Sequence, residues 1–400
     1  MDYKNDFKIL NTGLIYLDNG ATTLTPNIVI EKMNDYYNNY NSNIHRGDYK
    51  ISLKASDEYE NVRNLVKEFI NAKSNKEIVF TSGVTESLSM IIYGYFMNHL
   101  NKDDEVLITK GEHASNVLPW FDLENKIGIK VNYIPLNEDY TFSIDNLIKA
   151  ITPNTKVLSI AEITNVIGDI RDIKEITRIC HEKGIKVVID AAQSAGHKKI
   201  DVTDTDVDFL GFSAHKMLGP TGVGILYGKE ELLNELDSFK KGGGTTISFD
   251  NPNEIVYKEL PYKLEAGTPN IAGVIGLGEA IKYINNIGID NIEKHIYDLK
   301  EYLVSKTENI PNLIIYNKNV KGSTFVFNID KIFSQDTAIY LDKHNICVRA
   351  GDHCDKKLKD EINATNTVRV SIYIYNTKDD VDKLVEVLNN NNILEESIGF

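Results

Sequence analysis

Short apolar runs alternate along the chain with stretches whose apolar residues recur at helical spacing. Glu77-Ile78-Val79-Phe80-Thr81, Glu105-Val106-Leu107-Ile108-Thr109, Val157-Leu158-Ser159-Ile160, Val187-Val188-Ile189-Asp190 and Phe209-Leu210-Gly211-Phe212 predict buried strands, with Val131, Tyr133 and Ile134 continuing the series. Between them, Leu88, Ile91 and Ile92 fit a helix, as do Ile173, Ile176 and Cys180, with Gly184 closing the latter. Repeated strand–helix alternation from about Ile78 to Tyr227, with residues 222–227 as the last strand, predicts βαβ units. These imply a mainly parallel sheet covered on both faces. Ahead of it, Ile15-Tyr16-Leu17-Asp18 predicts a short strand, and Val62, Leu65, Val66 and Phe69 a helix packed on the core.

From about Asn291 the pattern changes. A long helix carries Ile292, Ile296, Leu299 and Leu303. Strands are predicted over residues 323–328, 346–349 and 367–375, then a last helix with Val381, Leu384, Val385 and Leu388. This order suits a smaller α+β domain. The expected division is a large α/β domain, residues 16–288, and a small domain, residues 1–15 plus 289–400.

Composition places the chain among globular proteins: 42% of the 400 residues are hydrophobic and 26% charged, and no apolar run reaches membrane-spanning length. The net charge of −14 disfavours nucleic acid or an anionic membrane as partner. Three cysteines with no C-x-x-C pair, and an N-terminus without a basic-then-apolar signal, fit a reducing cytoplasm. No zinc-type ligand spacing occurs, so no metal is expected.

The candidate chemistry lies at strand ends, where open α/β sheets bind ligands. Asp190 ends one apolar run, and Lys216 follows another in Ser213-Ala214-His215-Lys216. A lysine that can hold pyridoxal phosphate (PLP) as a Schiff base, with a carboxylate for its pyridinium nitrogen, is the pairing PLP enzymes require. Either residue alone is more often a surface group. Ser82-Gly83-Val84-Thr85-Glu86 turns from a strand into a helix, a geometry that presents free N–H groups to phosphate or simply starts a helix. His113 follows a strand and can stack on a flat ring or shuttle a proton, and Asn165 can bond a ring hydroxyl. Cys180 and Cys347 read as core residues. Cys354 sits among Gly351, Asp352, His353, Asp355, Lys356 and Lys357, which reads as an exposed polar loop with a reachable thiol. There His353, Lys356 and Lys357 would favour the thiolate, and Asp352 and Asp355 would oppose it.

Taken together, these motifs resemble the class V, fold-type I PLP enzymes, and within them the group II, Suf-type cysteine desulfurases. The resemblance runs from Tyr16-Leu17-Asp18 to Tyr375-Asn376-Thr377. It includes Asn43-Ile44-His45-Arg46-Gly47, Pro119-Trp120, Gly219-Pro220-Thr221-Gly222, Glu265-Ala266-Gly267-Thr268-Pro269-Asn270 and Arg369-Val370-Ser371. It implies conversion of L-cysteine to L-alanine with a persulfide on Cys354, for iron–sulfur cluster or other thio-cofactor assembly. Lys216 would hold PLP and move the α-proton. Asp190 would pair with the ring nitrogen, and Gln193 and Asn165 would contact the ring hydroxyl. His113 would stack over the ring and take part in proton transfer. Thr85, Ser213 and His215 would hold the phosphate, and Thr268 would reach the phosphate of a neighbouring subunit, implying a homodimer. Arg369 would pair with the substrate carboxylate, with Asn165 beside it. A sulfur-acceptor protein would take the persulfide.

The chain departs from the family's pattern in places. Asp352 replaces a histidine, Cys354-Asp355-Lys356-Lys357 stands where C-A-x-P is usual, and Gly244-Thr245-Thr246-Ile247 lacks the usual Met-Ile. The alternative is another class V PLP enzyme, such as a selenocysteine lyase, an isopenicillin-N-epimerase-like protein or an aminotransferase. Those without sulfur transfer do not need Cys354.

Overall fold

The computed structural model describes residues 3–238 and 240–389. Residues 1, 2 and 390–400 of the expected small domain lie outside the described residues. Seven strands form the main sheet: Ile78–Thr81 (β1), Glu105–Thr109 (β2), Lys130–Ile134 (β3), Thr155–Ala161 (β4), Lys186–Asp190 (β5), Phe209–Ser213 (β6) and Gly224–Gly228 (β7). Their spatial order is β1-β7-β6-β5-β4-β2-β3. All pairings are parallel except those of β7, which runs antiparallel between β1 and β6. The apolar runs arise because both faces of the sheet are buried. Val187 and Ile189 point into one core cluster and Val188 into the other. The helix Lys50–Phe69 and the helix Ile271–Ile287 cover the first face, and helices Val84–Ile91 and Leu118–Ile127 the second.

A second, antiparallel sheet holds Leu313–Ile315 (β8), Thr324–Ile329 (β9), Arg349–Gly351 (β10) and Thr367–Ser371 (β11), in the order β8-β9-β11-β10. Helices Ile289–Thr307 and Lys378–Leu388 pack on it through Leu299, Leu303, Val381 and Leu384. The expected strand over 346–349 is split. Ile346–Cys347 pairs in parallel with Ile15–Tyr16, whereas Arg349 begins a separate strand opposite Arg369. Cys347 is accordingly half-buried at a sheet margin rather than in the core. The strand expected over 367–375 ends at Ser371, where the ladder to β9 ends. Sequence periodicity did not indicate β8 or the hairpin Thr246–Phe249/Ile255–Tyr257, whose Ile247 and Phe249 are more than 70% exposed.

The two sheets meet at a close backbone crossing. Thr324 Oγ1 donates to the Val166 carbonyl and Asn317 Nδ2 to that of Ile167, both at 2.8 Å. A Cβ on Gly322 would stand 2.2 Å from the Gly168 carbonyl oxygen, so only glycine fits there. This crossing fixes the segment after β4, which carries Asn165, against β9. Among the described residues, no helix is long and apolar enough to cross a membrane.

Arg63, 1% exposed, joins three parts of the larger core. Its guanidinium donates to both Glu265 carboxylate oxygens at 2.7 and 3.0 Å, to Glu60 at 2.9 Å and to the Ile78 carbonyl at 2.9 Å. Glu265 in turn accepts from the Phe80 N–H at 2.8 Å. Removing Arg63 leaves the Glu265 carboxylate without its cation. Arg63→Ala is expected to cost about 3–5 kcal/mol, measured as a lower urea midpoint against wild type.

Candidate active site

A cavity of about 390 Å³ opens at the carboxyl ends of the strands, lined by the 82–86 turn, His113, Asn165, Ser213, His215, Lys216, Arg349 and Arg369. Strand tips place the central pair. Asp190 is the last residue of β5, 4% exposed, and its Oδ1 accepts from the Ala192 N–H at 2.9 Å. Burial raises its carboxyl to about 6, against the opposing pull of that N–H and of Lys216. Lys216 ends the short turn after β6. Burial lowers its ammonium to about 8, with Asp190 opposing the shift and Arg369 and Arg349 adding to it.

One wall is the start of the helix Val84–Ile91. Its first N–H donates to Ser213 Oγ at 2.8 Å, which locks β6 to the helix. Gly224 is required there, because a Cβ would lie 2.4 Å from Gly83 Cα. Thr85 Oγ1 is 2.8 Å from Ser115 Oγ. Ser115 also fixes His113: its backbone N–H donates to His113 Nδ1 at 3.2 Å, so the neutral ring carries its proton on Nε2. Burial, then the positive charges of Lys216, Arg349 and Arg369, lower His113 to about 4. Burial and Lys216 lower His215 to about 4. Both imidazoles are therefore neutral at physiological pH.

Two arginines form the opposite wall. Arg369, 1% exposed, donates to the Asn165 carbonyl at 2.8 Å and to Asp18 at 3.2 Å, while its Nε has no partner among the described residues. Arg349 Nη2 stands 3.4 Å from Cys354 Sγ. The cysteine loop is held by three further bonds: the Ala114 N–H donates to the Cys354 carbonyl at 2.9 Å, Asn165 Nδ2 to the His353 carbonyl at 2.8 Å, and the Cys354 N–H to Asp352 at 3.0 Å. His353 and Cys354 both adopt left-handed backbone, at φ 52° and 60°.

The loop is not the exposed polar segment expected from its composition. His353 and Asp355 are 2% and 3% exposed, and Cys354 is half-buried. The expected electrostatics change accordingly. His353 is driven down to about 3 by burial and by Arg369 and Arg349, so it is neutral and cannot favour the thiolate. Burial holds the Asp355 carboxyl well above the usual carboxylate range, so it does not oppose the thiolate. The cation at the sulfur is Arg349, which the sequence reading placed at the end of the expected 346–349 strand without a role. An arginine two residues before Gly351 on an edge strand was the available signal.

The other expected site residues divide. Lys216, His113, Asn165, Thr85, Ser213, His215 and Arg369 line the cavity, and Asp190 lies buried at the strand end. Gln193 Nε2 is occupied by the Gly20 carbonyl at 2.9 Å. Thr268 does not line this cavity. Its Oγ1 accepts from Asn43 Nδ2 at 3.3 Å, beside a second cavity of about 900 Å³ between the 43–46 loop and the exposed hairpin. Asp18, which pairs with Arg369, and Ser115, which sets the His113 tautomer, were not anticipated.

The donor set fits PLP. A buried acid at a strand tip suits the ring nitrogen, a lysine with a lowered pKa suits the aldehyde, and a helix start beside Ser213 suits a phosphate. An amine is nucleophilic only when deprotonated, so reactivity should rise with pH through the Lys216 pKa. In cofactor-free protein, acetic anhydride labelling of Lys216, read by peptide mass spectrometry, is expected to reach half its plateau near pH 8. Surface lysines should do so roughly two units higher.

The aminotransferase class-V family model matches residues 15–384. A probable cysteine desulfurase of Halalkalibacterium halodurans is 41% identical, over 96% of this chain and 94% of its own. The apo cysteine desulfurase of Thermococcus onnurineus NA1 superposes with a TM-score of 0.92 at 35% identity, covering 96% of both chains. The Escherichia coli cysteine desulfurase CsdA, in its S-sulfonic acid form, also gives 0.92, at 34% identity and 98% of both chains. A lysine–aspartate pair at the strand tips, two arginines opposite and a tethered cysteine thus occur on a chain that belongs to the class-V aminotransferase family.

Proposed function

We propose that the chain is a PLP-dependent L-cysteine desulfurase that forms L-alanine and leaves sulfur as a persulfide on Cys354. The observation that carries this reading is the thiol of Cys354, 3.4 Å from the Arg349 guanidinium, on a loop tied to the His113 and Asn165 segments of the same cavity. Bound PLP supplies an electron sink for the substrate α-carbon.

The chain's own residues supply the rest. Arg369, fixed by Asp18 and the Asn165 carbonyl, presents its guanidinium to the substrate carboxylate. Lys216, near pH 8, exchanges a proton with the α-carbon at little cost around neutrality. Asp190 would hold the ring nitrogen, Gln193 and Asn165 would serve the ring hydroxyl, and Thr85, Ser213 and His215 would serve the phosphate. Neutral His113 would stack on the ring and, with Nδ1 taken by the Ser115 N–H, would take part in proton transfer through its Nε2–H. The Cys354 thiolate attacks the substrate sulfur. The carbon–sulfur bond breaks, its electron pair stays with carbon, and protonation there completes alanine. Arg349 is the cationic group beside the sulfur during the attack.

The same reading includes the division into residues 16–288 and residues 1–15 plus 289–400, a cytoplasmic location, and transfer of sulfur to an acceptor protein for iron–sulfur or other thio-cofactor assembly. It also includes a homodimer in which Thr268 serves the neighbouring site. The large cavity beside Thr268 and the exposed Ile247 and Phe249 support that assembly.

Cys354→Ser is expected to keep PLP absorbance but lower alanine release from L-cysteine on the order of a thousandfold, assayed with reductant and with sulfide measured in parallel. Alanine release indifferent to Cys354 would assign another class-V reaction. Arg369→Lys keeps the charge but loses the planar fork. It is expected to raise KM for L-cysteine roughly ten- to hundredfold with a smaller change in kcat, read from steady-state kinetics.

A further inference from the structure

After the nucleophile the chain reads Cys354-Asp355-Lys356-Lys357-Leu358-Lys359, with charges of both signs. The fold sorts them. Asp355 turns inward, 3% exposed: one oxygen accepts from the Leu358 N–H at 3.3 Å and the other has no partner among the described residues. Asp352 is engaged by the Cys354 N–H, and Glu361 is paired with Lys110 at 2.5 Å. Lys356, Lys357 and Lys359 are exposed, and among the described residues no carboxylate forms an ion pair with them. Asp360 is the exposed acid left on this segment. Lys357 Nζ lies 5.9 Å from the centre of the Phe121 ring, on the helix whose first residue, Leu118, is 62% exposed. The Ala114–Cys354 backbone bond joins that helix's approach to the cysteine loop.

The rim beside the nucleophile is therefore cationic with an apolar contact, on a chain whose net charge is −14. An acidic partner is repelled by most of such a surface and drawn to this part of it, which favours one docking orientation.

Resting on the desulfurase reading, we infer that Lys356, Lys357, Lys359 and Leu118 dock a sulfur acceptor protein whose thiol sits in an acidic surface. The transfer step balances without an added oxidant or reductant. The acceptor thiolate attacks the outer sulfur of the Cys354 persulfide and the sulfur–sulfur bond breaks. Its electron pair returns to Cys354 Sγ as thiolate beside Arg349, and the acceptor leaves as the persulfide.

The test uses the full chain with PLP, charged by L-cysteine and freed of excess substrate. It is mixed with one of two synthetic peptides of equal length, whose single cysteine is flanked by glutamates or by lysines. Mass spectrometry first records the added sulfur on Cys354, then its passage to peptide. Wild type is expected to favour the glutamate peptide. K356E/K357E should shift the ratio of the two rates toward the lysine peptide on the order of tenfold at low salt, and added salt should shrink the difference. K356Q/K357Q should fall between. Comparing proteins on the same peptide cancels the peptides' own thiol pKa values.

A ratio unchanged in both variants overturns the inference, as does equal transfer to uncharged 2-mercaptoethanol and to both peptides. Those results leave the desulfurase reading standing. Absence of added sulfur on Cys354 in every protein instead overturns that reading, and the docking inference with it.

Discussion

A buried guanidinium organises the functional end of this molecule. Arg369 lies on β11, in the second sheet, yet its bonds go to Asp18 and to the Asn165 carbonyl, both outside that sheet. Burying such a charge is costly unless its donors are satisfied, so the segments that satisfy it are held in place together. Gly20 shows how close they come: a Cβ there would lie 2.9 Å from the Arg369 guanidinium carbon. The Gly168–Gly322 crossing and the Thr324–Val166 bond then fix the same joint from the other side.

The electrostatics of the cavity follow from that placement. Lys216, Arg349 and Arg369 are three cationic side chains around one small space, with Asp190 and Asp18 as the acids facing them. Burial and these cations together drive His113 toward the neutral form, burial with the two arginines does so for His353, and burial with Lys216 for His215. Three histidines near a reactive cysteine would ordinarily suggest a histidine-activated thiolate. Here none can carry charge near neutrality, and the cation beside the sulfur is Arg349. Lys216 is affected in the same direction, which makes an otherwise inert ammonium available for proton transfer.

Much of this was legible in the sequence. The strands of the main sheet announced themselves because burial on both faces forces uninterrupted apolar runs, and Asp190 and Lys216 stood out because each ends or follows such a run. The cysteine loop misled. His353 and Asp355 look solvated by composition, but the fold buries both, His353 through contacts with Thr367 and Asn165. Burial of a polar residue by distant partners has no local periodicity to reveal it. The exposed hairpin over 246–257 escaped for a related reason: its apolar residues face outward, so no core-facing alternation marks it. A role for Thr268 at the phosphate of a neighbouring subunit is implied by the resemblance, since the single chain places Thr268 beside Asn43.

The central claim is that sulfur leaves L-cysteine by bonding to Cys354. Its most direct test is a single turnover with sulfur-labelled L-cysteine below the enzyme concentration, quenched in acid and mapped by peptide mass spectrometry without reductant. The account predicts label on the peptide containing Cys354, one sulfur for each alanine formed, and label discharged by a thiol. Label on Cys347 or Cys180, or alanine formed with none on Cys354, would contradict it.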